Sequence, residues 1–433
     1  MVNDRERFLG EVIGQIRSKE AKVSVEKELN YHLKEAKEYW LGKGLSATEA
    51  QEKAIKQMGD PYKLGEKMNK LYRPKVDWLL LSLLAAVMML GFLPILSMDS
   101  SQVEIQDSFM RNRVIFGLLG IALAIGIMYF DYRKLQRWGW AFYLVGVAIL
   151  YGLRLIPSYT INGEPYFGIP MLGSFNCWIA LPFFFLAWAQ FFQNKKLKVW
   201  QLFLLFIYSF YLFLMVPDLA ISFIYGMTVL IMLWWSHLSK KTALFITAST
   251  ITAFIIGLVA VLPSLKGYQN ERIAAYINPE KYADGSGYMY VQLRELMTEA
   301  KWYGSSAGQG NVLPGTYSDY ALAGLTSHFG YVVTVAVLII LLLFVIRMGY
   351  IAIGARNRYG KLLVIGALAL FSLQFFYNIA MIFGFVPIMT IYLPFISYGW
   401  MSTILNAFLI GIVLSVYRRK HYGVMTEREC EVN

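Results

Sequence analysis

The sequence has little charge and few metal-binding side chains for its length. Only 16% of its 433 residues are Asp, Glu, Lys or Arg, whereas 57% are hydrophobic. Soluble domains carry about 25% charged residues, so a set of soluble domains is excluded for most of the chain. Two cysteines and four scattered histidines are too few for a disulfide framework or a four-ligand zinc site, and no metal site is predicted.

The charge that is present is concentrated near the N-terminus. Residues 1–75 hold 16 of the 40 Lys and Arg and 12 of the 28 Asp and Glu. Elsewhere the basic residues form small clusters between apolar runs instead of following one face. The net charge of +12 therefore does not predict nucleic-acid binding, and we expect membrane lipids as the surroundings.

Residues 1–74 predict a small helical domain. The run VEKELNYHLKEAKEYWLGKG has apolar residues at helical spacing and stops at Gly44. Ser46 and Glu49 form an S-x-x-E capping box at the start of a second helix, and GDP ends that helix before a third. These motifs resemble a helical prefix found ahead of some bacterial permease-like membrane proteins. We expect a solvated interaction module, with a membrane-surface or regulatory contact as the alternative.

The rest of the chain predicts an all-α polytopic membrane domain over residues 77–420, followed by a cytoplasmic tail, 421–433. A membrane-spanning helix needs about 20 mainly apolar residues. Ten runs qualify, at 77–97, 114–131, 138–156, 177–193, 199–216, 218–236, 242–263, 328–346, 362–385 and 398–416.

The clusters of Lys and Arg all fall on one side of these ten runs. Loops of bacterial membrane proteins that are rich in Lys and Arg lie in the cytoplasm, so both termini are predicted to be cytoplasmic, as an even number of spans requires. The clusters are Arg133, Lys134 and Arg137; Lys195, Lys196 and Lys198; Lys240 and Lys241; Arg347, Arg356, Arg358 and Lys361; and Arg418, Arg419 and Lys420.

The largest outer connection, 264–327, is too long for a simple loop and is the expected place for function. Acidic residues near the hydrocarbon region are costly and need an explanation. Asp131 is interpreted as an interfacial carboxylate, and Asp218 as a helix N-cap. Asp319, in LPGTYSDYALAG, is either functional or another capping carboxylate.

Two further polar groups accompany this connection. Arg272, Arg294 and Lys301 either hold a phosphate or are simply solvated. Gln374 and Asn378 share a helix face and precede VPIMTIYLPFISYG, which proline and glycine break. Non-helical backbone at membrane depth is tolerated only in protein or beside a cavity, so this run predicts a site or a re-entrant turn.

The same segment resembles the signature of the shape, elongation, division and sporulation family, which includes FtsW, RodA and SpoVE. Shorter matches are DYRKL, PDL, ERIAAYINP and GYMYVQL, and ten spans with a large outer loop after the seventh is the family layout. The resemblance covers about residues 77–420. The matched signature positions are Gln374, Asn378, Met381, Gly384, Pro387 and 393–399.

The resemblance implies a peptidoglycan glycosyltransferase that polymerises lipid II at the outer face of the bacterial cytoplasmic membrane, for cell shape, division or sporulation. The family's catalytic motif, L-P-E-x-x-T-D-F, aligns with LPGTYSDY and implies Asp319 as the general base for the 4-hydroxyl of the acceptor sugar. Lipid II and a class B penicillin-binding transpeptidase are the implied partners.

The leaving group, undecaprenyl pyrophosphate, requires stabilisation of negative charge. Arg272, Arg294 and Lys301 are therefore substrate-binding candidates. A divalent cation such as Mg²⁺ could share the task if substrate oxygens supply part of its ligands. Further substrate-binding candidates from the signature are Gln374, Asn378, Ser397 and Tyr398.

The sequence also departs from the family pattern on the outer side. Asn176 and Ile179 occupy the positions of a family glutamate and lysine, and Ser327 and His328 replace two glutamates. The final signature glycine is Trp400. Two alternatives follow: a catalytically weak or inactive paralogue that acts as a scaffold or regulator of cell-wall synthesis, or a transporter of lipid-linked precursors. Against transport, the chain has no evident inverted repeat.

Overall fold

The chain forms two compact units in a computed structural model. One unit covers Met1–Val76 and Tyr417–Asn433, and the other covers Asp77–Val416. The predicted tail, 421–433, lies outside the described residues. The structure describes residues 4–98, 103–161, 164–169, 173–216, 218–261, 267–304, 313 and 315–420.

The first unit is helical, as predicted. Three of its helices correspond to the predicted ones, whereas the first is an addition to the prediction. The helices are α1 (Asp4–Gly14), α2 (Lys19–Gly42), α3 (Ala47–Met58) and α4 (Pro61–Leu71). They bury a common apolar core of Phe8, Leu9, Val12, Ile16, Ala21, Val25, Leu29, Leu33, Ala54 and Tyr72.

Short-range signals fix the ends of these helices. Gly44 follows α2 with φ +86°, a conformation that glycine adopts without steric cost. The predicted capping box is confirmed, because Ser46 Oγ accepts from Glu49 N–H while Glu49 Oε2 accepts from Ser46 N–H at 3.1 Å. Asp60 caps α4, whose first residue is Pro61.

The second unit is an assembly of apolar helices, and each of the ten predicted runs overlaps a helix in its described residues. Its helices are α5 (Trp78–Leu90), α6 (Leu93–Leu96), α7 (Val103–Tyr129), α8 (Gly139–Leu155), α9 (Leu181–Gln193), α10 (Val199–Met215), α11 (Leu219–Leu233), α12 (Lys240–Val261), α13 (Gly267–Ile277), α14 (Tyr288–Glu299), α15 (Ala321–Gly354), α16 (Arg358–Ile382) and α17 (Trp400–Arg418).

The apolar segments have the lengths that a membrane domain needs. In the described residues six of them are long and apolar enough to cross a membrane: Trp78–Leu96, Ile105–Tyr129, Tyr132–Leu155, Ala321–Gly354, Arg358–Ile382 and Trp400–Arg418. Shorter apolar helices are Cys177–Gln193, Val199–Met215 and Leu219–Leu233. The predicted all-α polytopic fold is confirmed.

The centre of the second unit is formed by α16 and α17. In their most apolar stretches 67% and 72% of the residues are buried, whereas the corresponding fraction in the other four long segments is 22–44%. Close packing explains the small residues of α16, since a Cβ at Gly366 would come within 2.6 Å of the Phe185 ring. Polar side chains on α16 therefore lie inside protein and not in lipid.

A small antiparallel sheet replaces the expected loop between α8 and α9. Its strands are β1 (Tyr159–Ile161), β2 (Glu164–Ile169) and β3 (Gly173–Phe175), in the order β1-β2-β3. Tyr159 pairs with Tyr166, and Phe167 with Phe175. Strands of three to six residues are too short for a detectable alternation, which is why the sequence did not reveal them.

Helix α15 begins seven residues before the predicted start of the eighth span and bends at Gly330. Gly330 has φ +84°, a left-handed conformation inside an otherwise helical segment. Beyond the bend, Tyr331 N–H donates to Lys301 O and Val332 N–H to Trp302 O, both at 3.1 Å. The bend thus lets the chain after α14 pack onto the helix, a long-range contact that hydropathy does not report.

Replacement of Gly330 by alanine should therefore destabilise the second unit. A Cβ there would lie 2.6 Å from Trp302 O, and the backbone conformation of φ +84° and ψ 173° alone costs an L-residue about 1–3 kcal/mol. We expect Gly330→Ala to lower the thermal unfolding midpoint of the purified chain in detergent. The control is Gly349→Ala on the same helix, where the nearest atom is 4.0 Å away. Equal midpoints for the two variants would contradict the interpretation of the bend.

Candidate functional site

Asp319 lies in a tight turn that leads into α15. Gly315, with φ +86°, opens the turn, and its carbonyl accepts from Ser318 N–H at 2.9 Å and from Tyr320 N–H at 3.0 Å. Tyr320 is the N-cap residue of α15 and makes no side-chain capping bond. Asp319 likewise makes no capping hydrogen bond in the described part of the chain, so its interpretation as a capping carboxylate is wrong.

The backbone of this turn is held by three donors from the signature segment. Tyr398 N–H donates to Tyr317 O at 2.7 Å. Ser397 Oγ donates to Ser318 O at 2.6 Å, and Asn378 Nδ2 donates to Asp319 O at 3.0 Å. We call these three bonds the carbonyl clamp. Three consecutive peptide carbonyls are thus fixed, which sets the direction in which the Asp319 side chain projects.

The clamp donors are themselves fixed by other bonds. Ser397 is fully buried, and its Oγ also accepts from Leu393 N–H at 2.8 Å. Asn378 is fully buried and donates a second bond to Ile391 O at 2.6 Å. Gln374, one turn away on α16, donates to Leu370 O. Its Oε1 accepts from Asn406 at 3.3 Å.

Four of the predicted site residues therefore lie together: Asp319, Asn378, Ser397 and Tyr398. Aromatic rings surround this group, because Phe109 of α7 stacks on Tyr398 with ring centroids 4.4 Å apart. Tyr317 meets Tyr398 edge-on at 6.2 Å.

The Asp319 carboxylate is partly buried and incompletely bonded. Asp319 Oδ1 is sealed from solvent and has no hydrogen-bond partner in the described structure. Burial raises the pKa of Asp319 to about 6, and the nearby negative charge of Glu164 raises this pKa further in the same direction. A buried polar atom without a partner needs an explanation, and a ligand that donates to it is one.

Glu164 of β2 is a second, half-buried carboxylate that interacts electrostatically with Asp319. Burial raises its pKa, whereas hydrogen bonds from Tyr166 and Thr390 lower it. Tyr166 Oη donates to Glu164 Oε2 at 3.1 Å. Asp218 also lies within electrostatic reach of Glu164. Glu164 therefore interacts electrostatically with both Asp319 and Asp218.

Asp218 has the structural role expected from the sequence. Its Oδ1 accepts from Ile221 N–H at 3.1 Å, which confirms the predicted N-cap of α11. Its Oδ2 faces Cys177 Sγ at 3.8 Å. Asp131 bonds to Arg133 at 2.9 Å at a helix end, as its interpretation as an interfacial carboxylate requires.

Asn176, at the position of the family's glutamate, lies beside the same cluster, and Ile179 follows it in the chain. Asn176 caps a short 3-10 turn by accepting from Trp178 N–H at 3.3 Å. Its side chain also bonds to Tyr166, the residue that donates to Glu164. A carboxylate is therefore present one hydrogen-bonded residue away from the position where the family has its glutamate.

Trp400, which replaces the final signature glycine, joins the sheet to the signature segment. Its Nε1 donates to Ser174 O at 3.0 Å, and its ring meets Phe175 edge-on with centroids 4.4 Å apart. This substitution therefore holds β3, and with it the sheet that carries Glu164, against the start of α17.

The three predicted phosphate ligands are not gathered at Asp319. Arg294 is exposed and pairs with Glu280 at 3.4 Å. Arg272 is exposed near Tyr290, whose hydroxyl accepts from Ile388 N–H at 3.0 Å. Lys301 is exposed beside the bend of α15. In the residues that the structure describes, none of the three contacts the carboxylate.

The carboxylates do not form a metal centre by themselves. Over the described ranges, no three His, Cys, Asp or Glu side chains lie close enough to hold a metal ion. Any divalent cation here would need oxygen ligands from a substrate.

Two residues of the site were missed by the sequence interpretation. Glu164 lies in the segment GEPYF, to which no role was assigned from the sequence. Arg113 of α7 was not considered, although it is 1% exposed and donates to the carbonyls of Phe395 and Ser397. A basic residue directly before the apolar run 114–131 was the signal that could have identified it.

Comparisons with known proteins place the chain in a family. The sequence profile of the family described as "Cell cycle protein", FTSW_RODA_SPOVE, matches residues 77–422. A probable peptidoglycan glycosyltransferase FtsW of Trichlorobacter lovleyi is 25% identical over 367 residues, 78% of this chain and 92% of that protein. Stage V sporulation protein E of Bacillus subtilis is 24% identical over 369 residues, 80% of this chain and 98% of that protein.

A solved structure shares the fold. It is described as "Structural coordination of polymerization and crosslinking by a peptidoglycan synthase complex" and superposes with a TM-score of 0.68 at 22% identity. The match covers 80% of this chain and 98% of the other.

Proposed function

Because this chain belongs to the FtsW, RodA and SpoVE family of cell cycle proteins, we propose that it is a membrane glycosyltransferase that polymerises lipid II into peptidoglycan strands. The profile covers the whole second unit, and the apolar helices make the chain a multi-pass membrane protein. Relatives that match over most of its length are named as probable peptidoglycan glycosyltransferases. The proposal assigns the reaction to the site around Asp319.

The state of the Asp319 carboxylate is the observation that carries the proposal. A general base works best when its pKa lies near the operating pH and when its oxygen is free to take the proton. Burial brings the pKa of Asp319 to about 6, and Oδ1 has no hydrogen-bond partner in the described structure. Asp319 then accepts the proton of the acceptor 4-hydroxyl as that oxygen attacks the anomeric carbon of the donor.

The leaving undecaprenyl pyrophosphate carries negative charge away from the reacting carbon. We assign its stabilisation to Arg272, Arg294 and Lys301, which all lie in the long connection before α15. Their exposure leaves them free to reorient toward a phosphate, although Arg294 must exchange its partner Glu280. A divalent cation ligated mainly by the pyrophosphate would act in the same way.

Asp319 faces the outer side of the membrane in the proposed orientation, and a second protein crosslinks the product. Basic clusters at one end of the helices favour cytoplasmic termini, so the clamp and the sheet face the outer side, where lipid II is polymerised. The related solved structure is that of a peptidoglycan synthase complex, whose description names polymerization and crosslinking. We therefore propose a class B penicillin-binding transpeptidase as the partner that crosslinks the product.

A second function, that of a catalytically inactive scaffold, is favoured by one observation. Asn176 and Ile179 remove both members of the charged pair that the family resemblance implies. Glu164 opposes this alternative, because it restores a carboxylate at the same cluster through Tyr166. Glycan synthesis by the purified chain distinguishes the two functions.

Loss of the Asp319 carboxylate should abolish polymerisation. Asp319→Asn keeps the size of the side chain but cannot accept the proton, so we expect glycan synthesis from lipid II to fall at least about 10²-fold. The measurement is gel analysis of labelled glycan strands made by the purified chain with its transpeptidase. Asp284→Asn, which removes an exposed carboxylate from the same outer connection, is the matched control. A variant Asp319→Asn that polymerises like this control would refute the assigned mechanism.

The pH dependence of polymerisation should report the ionisation of Asp319. The base acts only when deprotonated, so the rate is present above pH 6 and falls as the pH drops through about 6. Glu164→Gln removes a negative charge that raises the pKa of Asp319. We therefore expect the acid limb of the pH profile, where the rate falls, to move to lower pH. The rate is measured from pH 4.5 to 8 for the parent and the variant, with Glu299→Gln, an exposed carboxylate of the same connection, as the control. An unmoved limb contradicts the coupling of the two carboxylates.

A further inference from the structure

Arg113 is a buried cation in the first half of α7, at the start of its apolar part. It lies on α7, within the span Ile105–Tyr129, and its side chain is 1% exposed. In the described chain it forms no ion pair with an acidic residue. Burying a charge without a counter-ion is expensive, so the hydrogen bonds that replace the counter-ion indicate its role.

The guanidinium group is bonded entirely to the signature segment and α17. Its Nη2 donates to Phe395 O, and its Nη1 donates to Ser397 O at 3.3 Å and to Thr403 Oγ1 at 3.4 Å. Gly91, just after α5, leaves the space for this contact, because a Cβ there would overlap the guanidinium. A planar group with several donors suits two neighbouring carbonyls better than an ammonium does.

The bonded carbonyls belong to a strained turn. Phe395 has φ +61°, which makes it the non-glycine residue with positive φ in the described structure. Its side chain is fully buried, so the conformation is held by packing and by the bond from Arg113 to its carbonyl. Residues in this conformation persist only where their surroundings determine them strongly.

The same turn supplies two of the three clamp donors. Ser397 Oγ donates to Ser318 O, and Tyr398 N–H donates to Tyr317 O, one and two residues before Asp319. The neighbour of Arg113 on α7, Asn112, donates to Tyr398 Oη at 3.4 Å. A continuous set of hydrogen bonds thus leads from α7 through the turn to the backbone of Asp319.

We infer that Arg113 is a positioning residue for the reaction: it fixes the Phe395–Tyr398 turn, and through the carbonyl clamp it fixes the direction of the Asp319 carboxylate. Arg113 does not touch the reacting atoms. The catalytic consequence rests on the proposed function, whereas the structural link from Arg113 to the clamp does not. These two parts have separate measurements.

The test compares Arg113→Lys with Arg111→Lys in the full-length chain. The first variant keeps the charge but offers one compact donor group, whereas Arg111 is exposed on the same helix and serves as the control. We expect Arg113→Lys to reduce kcat for lipid II polymerisation by about 10²-fold, since small misplacements of a reacting group have effects of this size. Its KM should change by less than about twofold, because Arg113 does not bind substrate.

Two further readouts distinguish positioning from a general loss of structure. Hydrogen exchange of the Leu393 and Tyr398 amides, both bonded in the turn, should be about tenfold faster in Arg113→Lys, with α9 and α11 unchanged. The acid limb of the pH profile should move below the parent value, because a loosened Asp319 becomes more hydrated and its pKa falls. Thr403→Val, which removes one acceptor and keeps the volume, should show the same changes at smaller size.

Each result has one meaning. Exchange and kcat equal to those of Arg111→Lys would overturn the inference, and so would exchange that increases uniformly along the chain. A parent chain that makes no glycan would refute the proposed function alone, because the exchange of Leu393 and Tyr398 still reports whether Arg113 holds the turn.

Discussion

The burial of the Asp319 carboxylate at one end of an apolar helical assembly is the constraint on which the rest of the site depends. Removal from water raises the pKa of this group to about 6 and leaves Oδ1 without a partner in the described structure. Such a group is useful only if its direction is fixed. The carbonyl clamp fixes it through backbone atoms, so the carboxylate oxygens stay available for a substrate.

The side chains that hold the carbonyl clamp in place belong to helices that are otherwise apolar. Asn378 on α16 and Arg113 on α7 are both buried, and each uses its donors on carbonyls of the 391–397 region. Broken backbone at this depth would expose unpaired carbonyls, and these side chains satisfy them. The helices therefore do more than span the membrane, because they hold an irregular segment in one conformation.

The sheet shows how the site tolerates the loss of a charged pair. Asn176 and Ile179 stand where the family resemblance implies a glutamate and a lysine, yet Glu164 of β2 brings a carboxylate to the same cluster. Trp400 fastens the sheet to the start of α17. The residues that differ from the family pattern are thus linked to the sheet that carries Glu164. This favours a site with altered residues over a site that has lost its function.

Features with a local cause could be predicted from the sequence, whereas the site could not be assembled from it. Hydropathy over 20 residues identified the ten helical runs, and single capping residues such as Ser46 and Asp218 identified helix ends. The clamp joins the 317–319 turn to donors 59 to 81 positions away, and no local pattern encodes such pairings. The most direct test of the account is an experimental structure of the chain with a bound lipid II acceptor analogue. It should show an Asp319 carboxylate oxygen at about 2.6–3.2 Å from the acceptor 4-hydroxyl with the clamp intact, whereas an acceptor bound away from Asp319 would contradict the account.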